Sequence, residues 1–247
     1  MNLLVDIGNS RLKWGMEQSG LILRGDAIDY HQVNVIGELQ RVWRGLAPPG
    51  KLAIASVAAK QVLSQVSELA CSLWPALQLV VPRTTANAFG VSNAYRQPEK
   101  LGVDRWLAML AAHHYYPGRC CVVDCGTAIT VDVVDADGRH LGGLITPGLR
   151  SMKKALAADT VDLTFIHQQH PSARLADNTV AAIDNGTLLA AVGLIEAVLH
   201  RQDMACRLIL SGGDAEAVAG QLQHTVITDP ELVLKGLSIY CNHGKAE

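Results

Sequence analysis

The chain has 247 residues, 49% of them hydrophobic and 18% charged, with 21 Lys and Arg against 23 Asp and Glu for a net charge of −2. That length makes one large domain or two of about 120 residues, with ample apolar side chains for a core. Near-neutral charge with no long run of one sign argues against bulk electrostatic binding to nucleic acid or an anionic membrane.

Three strands are expected first, over 2–7, 11–17 and 20–28, then alternating helix and strand. Gln32–Leu46 has helical periodicity and stops at Pro48-Pro49-Gly50; Lys51–Val57 reads as a strand, Ala59–Leu73 as a helix and Leu77–Val81 as a strand. Residues 83–103 look irregular, punctuated by Gly90, Pro98 and Gly102, and a loop of that length is usually functional or disordered. Asp104 can cap a helix running to about Tyr115. The second half repeats the plan. Strands over 120–125, 129–135 and 140–146, with a turn at Asp135-Ala-Asp-Gly138, precede a helix over Leu149–Ala158 and a polar connection over 159–178. A long apolar helix follows from 179 to 201, capped by Asn178 or Asp177, then a strand (Arg207–Leu210), a helix to about 223, a strand (225–228) and a helix (230–242). Two β-β-β-α-β-α halves imply an α/β fold of two lobes, 1–117 and 118–247, with a central cleft.

Asp6 interrupts the N-terminal apolar run, so no signal-peptide core is expected. No apolar stretch is expected to approach the roughly 18 residues that span a bilayer. The chain reads as cytoplasmic, with neither a nucleic-acid nor a membrane partner. The six cysteines (71, 120, 121, 125, 206, 241) form no C-x-x-C pair and read as structural thiols.

The run Asp6-Ile-Gly-Asn-Ser-Arg-Leu-Lys-Trp-Gly15 has an echo in Asp124-Cys-Gly-Thr-Ala-Ile-Thr-Val-Asp132. In each, a short apolar strand delivers an Asp to a glycine turn rich in hydroxyl or amide side chains. Either could be a plain Asx turn linking two strands. Together they suggest duplicated loops facing each other across the cleft. Glycine lets backbone N–H groups approach an anion, and Asn9, Ser10 and Thr127 add donors. A carboxylate beside a phosphate needs a cation between them, so a metal–nucleotide complex is the economical ligand. Lys13 either neutralises phosphate charge or points to solvent.

Ser211-Gly212-Gly213-Asp214 follows a buried strand and opens a helix, which makes either an anion-facing helix end or a turn needing glycine for geometry alone. The chain has neither G-x-x-x-x-G-K-[S/T] nor G-x-G-x-x-G. Asp104 is either a helix cap or a general base, and Arg105 either a surface residue or a clamp for an anionic group. Gly142-Gly143 through Pro147-Gly148 could be a lid, a hinge or a tight turn. Ala182, Gly186, Ala190 and Gly193 form a small-residue stripe suited to close helix packing or a subunit interface.

Taken together, Asp6-x-Gly-Asn-Ser10, Gly102-x-Asp-Arg105, Asp124-x-Gly-Thr-Ala-x-Thr-x-Asp132, Gly142-Gly-x-Ile-x-Pro-Gly148, Asn178-Thr179 and Gly212-Gly-Asp-Ala215 resemble the type III pantothenate kinases, in family order along the whole chain. The resemblance implies a duplicated ribonuclease H-like fold of the acetate and sugar kinase/Hsp70/actin group. It implies transfer of the ATP γ-phosphoryl group to pantothenate, the first step of coenzyme A synthesis. It also implies a homodimer that uses Mg²⁺ and a monovalent cation, potassium or ammonium. By position, Asp6, Ile7, Gly8, Asn9, Ser10, Arg11, Leu12 and Lys13 match the first ATP phosphate loop, and Thr127 the second. Ser10 stands where the family more often has Thr, which keeps the hydroxyl. Tyr95, Gly102, Val103, Asp104 and Arg105 match the pantothenate pocket, with Asp104 as proton acceptor and Thr179 a further substrate contact, made in the family from across the dimer. Asp124 matches the monovalent-cation position, and Asp6 would hold Mg²⁺, directly or through water. Two other readings of the same residues are a phosphatase of this fold and a non-enzymatic, nucleotide-responsive regulator.

Overall fold

The computed structural model of the protein describes residues 1–30, 33–58, 60–158, 172–202 and 205–243. It divides into two compact units, Met1–His114 with Glu231–Glu247, and Tyr115–Pro230.

In the first unit, β1 (Asn2–Ile7), β2 (Arg11–Gln18) and β3 (Leu21–Arg24) form an antiparallel meander, and β4 (Ile28–Asp29) adds to the start of β2. Helix α1 (Val35–Trp43), β5 (Lys51–Ser56), α2 (Lys60–Leu73) and β6 (Gln78–Val80) follow, giving sheet order β3-β2-β1-β5-β6 with β5 and β6 parallel to β1. Alternation sorts the side chains onto two faces. Leu3, Val5, Ile7, Leu12, Trp14, Leu52 and Ile54 face α1 and α2 in one core with Leu39, Trp43, Val66 and Leu69. Leu4, Asp6, Lys13 and Gly15 take the other face by register. There Leu234 of α7 (Leu232–His243) packs on Gly15, 3.5 Å from where a Cβ would stand.

The expected third strand, 20–28, is broken: β3 ends at Arg24 and pairing resumes at Ile28. Helix α1 is shorter than its periodicity, because Asn34 ends the preceding loop and its side chain accepts from Gly37 N at 3.3 Å. Residues 83–103, expected to be irregular, hold a small hairpin, β7 (Asn87–Ala88) and β8 (Val91–Ser92), and a 3₁₀ turn at Pro98–Lys100. Phe89 and Gly90 both take positive φ (46° and 83°) at the hairpin tip, the geometry of a tight two-residue turn. Helix α3 (Val103–Tyr115) follows and is buried from Arg105 to Ala112.

In the second unit, β9 (Cys120–Cys125), β10 (Ala128–Val134) and β11 (His140–Pro147) form the meander. Helices α4 (Leu149–Ala158) and α5 (Thr179–His200), β12 (Arg207–Ser211), α6 (Ala215–Ala219) and β13 (Val226–Thr228) follow. Sheet order β11-β10-β9-β12-β13 repeats that of the first unit strand for strand, with the same sense of pairing. The ribonuclease H-like sheet is therefore present twice. The Asp135–Gly138 turn forms as expected, with Gly138 at φ 81° and its N–H donating to Asp135 O at 3.1 Å. Gly142 to Pro147, expected as a lid, hinge or turn, belongs to edge strand β11, which is bulged where Val134 pairs with His140 and Val133 with Gly142.

Helix α5 corrects one expectation, since by length and composition it could cross a membrane. Half of its most apolar window is buried within the protein, and Leu188, Ala191, Val192 and Ile195 join the core formed by β9, β10 and β12. Its buried Asp184 pairs with Lys153. A helix carrying a buried carboxylate paired across to α4 is a core element. The polar connection expected over 159–178 falls largely outside the described residues.

Candidate active site

The first acidic turn is built by β1 and β2. Asp6 is 9% exposed and stands directly across from Lys13, and from Ala55 on the other side. Gly8 closes the turn, donating to Arg11 O at 3.0 Å, and a Cβ there would sit 3.1 Å from the same oxygen. Asn9 and Arg11 are exposed, Ser10 and Lys13 half-buried. Ile7 and Leu12 bury their side chains in the core, so only their backbone can meet a ligand. Ser10 O accepts from Tyr30 N at 3.1 Å, and Arg11 approaches Asp29 at 3.9 Å, so β4 braces the loop. Burial, and then the negative charge of Asp6, pushes the Tyr30 hydroxyl well above its usual range. Tyr30 belongs to no sequence motif, and only folding brings it to this loop.

The Gly102–Arg105 segment forms the first turn of α3. Asp104 Oδ1 accepts from Arg105 N at 2.7 Å, satisfying one of the amides a helix start leaves open. A Cβ on Gly102 would lie 2.6 Å from that oxygen, so the carboxylate folds over the glycine. Arg105 is 6% exposed, donates to Tyr95 Oη at 3.0 Å and lies 5.7 Å from the Tyr95 ring centre. A buried guanidinium held this way offers a fixed fork for an anionic group. The loop carrying Tyr95 is tied down by its own polar groups. Tyr95 N donates to Asn93 Oδ1 at 2.9 Å, Asn93 Nδ2 reaches Thr85 O and Pro98 O, and Thr84 Oγ1 donates to Leu101 O at 2.9 Å. Arg105 as a surface residue is thus overturned, while Asp104 sits inside the first helical turn.

The second acidic turn lies in the other unit. Asp124, half-buried at the end of β9, has Oδ2 3.2 Å from where a Gly126 Cβ would be. Three backbones converge on the turn. Gly148 N and Ser151 Oγ both donate to Thr127 O, at 2.9 and 2.7 Å, and Asp214 N donates to Cys125 O at 3.0 Å. A Cβ at Gly148 would fall 2.1 Å from Gly126 O, and one at Gly212 (φ 97°) 2.4 Å from Cys125 O. The Gly212 turn is therefore glycine for close approach, and α6, at five residues, is too short to act as an anion-binding helix end. Burial, then the charges of Asp124 and Asp214, pushes the Cys125 thiol up to about 12, so negative potential gathers at this turn. Thr127 is exposed, and so is Thr179, the first residue of α5, where Asn178 supplies the cap through Oδ1 to Ala181 N at 3.0 Å.

All six cysteines are free; Cys120, Cys121, Cys125 and Cys241 are buried. No group of three His, Cys, Asp or Glu among the described residues forms a metal cage. A magnesium ion that keeps waters and phosphate oxygens needs only one or two carboxylates, and Asp6 at a strand end beside a glycine turn fits that demand. The second turn, with its gathered negative charge, fits a cation as well.

Repeated ribonuclease H-like sheets, each carrying an Asp-x-Gly turn after its first strand, define the acetate and sugar kinase/Hsp70/actin fold. Residues 2–201 match the family described as type III pantothenate kinase, and the chain belongs to that family. A type III pantothenate kinase of Nitrosococcus oceani is 37% identical over 250 residues, covering 96% of this chain and 92% of that one. Among solved structures, a Baf-family protein of Campylobacter jejuni described as a transcriptional activator is 23% identical with a TM-score of 0.62, covering 98% of this chain and all of the other. The activator of a 2-hydroxyisocaproyl-CoA dehydratase from Clostridium difficile, solved with bound ADPNP, has a TM-score of 0.55 at 13% identity, covering 97% and 93%. The latter two likenesses are of fold. The chain is a small-molecule kinase, and phosphoryl transfer of this kind uses a divalent metal.

Proposed function

We propose that the chain transfers the γ-phosphoryl group of ATP to the hydroxyl of pantothenate, giving 4′-phosphopantothenate. The observation that carries this reading is the Asp104–Arg105 pair, with its carboxylate ordered on a helix start and its guanidinium buried against Tyr95, in a chain of this family. Asp104 accepts the substrate hydroxyl proton as the bond to phosphorus forms. An ordinary Asp is a weak base, so much of its effect is orientation of the nucleophile. Arg105, aimed by Tyr95, pairs with the pantothenate carboxylate, while Gly102 and Val103 shape the pocket and Thr179 adds a substrate contact. Asp6 to Lys13 hold the triphosphate of ATP, and Thr127 contacts it from the second turn. Mg²⁺ associated with Asp6, directly or through water, supplies charge neutralisation for the phosphates. Asp124 holds a monovalent cation, potassium or ammonium.

A homodimer belongs to the same proposal. Ala182, Gly186, Ala190 and Gly193 form an exposed stripe along α5, and nothing lies within 4 Å of a Cβ placed on either glycine. A cytoplasmic location is proposed with it.

A coupled ADP-release assay with and without pantothenate, repeated with sodium in place of potassium, tests the reading, and the product mass completes it. Asp104→Asn should keep ATP binding and lose at least about a hundredfold in kcat, within the usual range for a general base. Near-normal turnover in that variant removes Asp104 from the role.

A further inference from the structure

Ser211 is the last residue of β12. It is 2% exposed, and its hydroxyl oxygen is buried with no hydrogen-bond partner among the described residues. A buried hydroxyl in that state bears its desolvation cost without return, so it calls for an explanation. Its position gives the use. Ser211 is the register partner of Asp124 on the neighbouring parallel strand. Leu208 and Leu210 turn to the core with Cys121, Val123 and Cys125, so Ser211 and Asp124 share the opposite face of the sheet. Thr130 is the partner of Asp124 on its other side, across β10, and shares that face too. Neighbouring strands lie about 4.7–4.9 Å apart, which suits one ion reaching both a carboxylate and a hydroxyl.

The electrostatics select the sign of the ligand. Asp124 presents a carboxylate on the face it shares with Ser211 and Thr130, and an anion placed there would be repelled. The donors are hard oxygens with little formal charge, which favours a cation that does not demand several carboxylates. Geometry is fixed by backbone packing, since Gly212 at φ 97° lies against Cys125 closely enough that a Cβ would overlap its N, C and O. The turn after Ser211 therefore cannot drift away from Asp124.

We propose that the Ser211 hydroxyl is an oxygen ligand to the monovalent cation at Asp124. This rests on the reading of Asp124 given above. The hydroxyl oxygen donates a lone pair to the ion, no bond is made or broken, and no other reactant is needed.

The test is thermal melting of the full-length protein without nucleotide, titrated with potassium chloride at constant ionic strength against choline chloride. Wild type, Asp124→Asn, Ser211→Ala and Ser211→Thr are compared. The expected result is a potassium-dependent rise in wild-type Tm that Asp124→Asn abolishes. Ser211→Ala should raise the half-saturating potassium concentration about tenfold, of the order seen when one group supporting a metal is lost, and Ser211→Thr should restore it. In choline alone, Ser211→Ala should melt no lower than wild type, because removing an unsatisfied hydroxyl removes its desolvation cost. A half-saturation unchanged in Ser211→Ala while Asp124→Asn loses the response overturns the proposal and leaves the Asp124 reading standing. A Ser211→Ala protein that melts well below wild type in choline assigns the hydroxyl a packing role and overturns it as well. Absence of any potassium response in wild type removes the Asp124 reading and this proposal together.

Discussion

Gly212 carries more of the second turn than any charged residue there. Its φ of 97° is strained for any side chain, and a Cβ would meet the Cys125 backbone at 2.4–2.6 Å. Gly212→Ala should cost at least about 3 kcal/mol, from left-handed strain plus overlap with backbone that cannot yield, read as a fall in urea midpoint or as insoluble protein. Asp135 offers a pH-dependent case. Burial pushes its carboxyl up, but the amides of Arg139 and Asp137 and the Arg139 guanidinium outweigh that and hold it below the usual range. Folding thus lowers its pKa, so the unfolded chain binds the proton more readily. The stabilisation is full above the unfolded value of about 3.9 and is lost as pH falls through the lower folded value. Asp135→Asn should lower stability at pH 7 by about 1–3 kcal/mol, and the gap to wild type should close only below about pH 4; urea melts from pH 7 to pH 3 measure both. Residues of this kind separate what sequence can reveal from what it cannot. The Asp-Gly turns and the Gly-x-Asp-Arg run were legible because spacing alone carries their chemistry. Ser211 and Tyr30 were not, because an unpartnered hydroxyl is a property of neighbours brought together by folding.

At the scale of elements, α5 has two faces with opposite demands. Leu188, Ala191, Val192 and Ile195 enter the core, whereas Ala182, Gly186, Ala190 and Gly193 are exposed. Glycine in an exposed helix interior costs about 1 kcal/mol against alanine, so its presence twice on one stripe asks for a reason outside the monomer. Gly186→Ala with Gly193→Ala should stabilise the isolated chain by up to about 2 kcal/mol on helix propensity alone, while weakening self-association. Sedimentation equilibrium beside thermal melting checks both directions, and an unchanged association constant discards the stripe as the interface. Strands were the most legible elements, with β9 matching its expected bounds, because a short apolar run between turn residues has few other fates. The loop over 83–103 was the least legible. Its order comes from Asn93 bonded to three backbone groups and Thr84 to Leu101, and polar residues that order a loop resemble polar residues that merely solvate one.

Across the whole molecule, the repeat and the compact units follow different cuts. We propose that 1–117 and 118–247 are two copies of one β-β-β-α-β-α plan, but α7 at the end of the second copy packs on the first sheet. Lys51 Nζ donates to Cys241 O at 2.6 Å, Trp106 Nε1 to Tyr240 Oη at 3.3 Å, and Leu107 O lies 2.3 Å from where a Gly236 Cβ would stand. Periodicity located that helix but could not say which sheet it covers, since an apolar face fits either. The chain supplies its own reporter: all four tryptophans, Trp14, Trp43, Trp74 and Trp106, fall in the first unit. A chain ending at Pro230 removes α7 from contacts made more than a hundred residues away. It should show red-shifted tryptophan emission from the first unit while far-UV circular dichroism retains the strands and helices of 115–230. Loss should concentrate at Trp106, whose indole packs where Tyr240 would be, so Trp106→Phe in the shortened chain should remove part of the shift. A shortened chain with native emission would mean that the first unit is stable without α7, and that the returning helix contributes little to holding Asp104 and Asp6 on their sheet and helix.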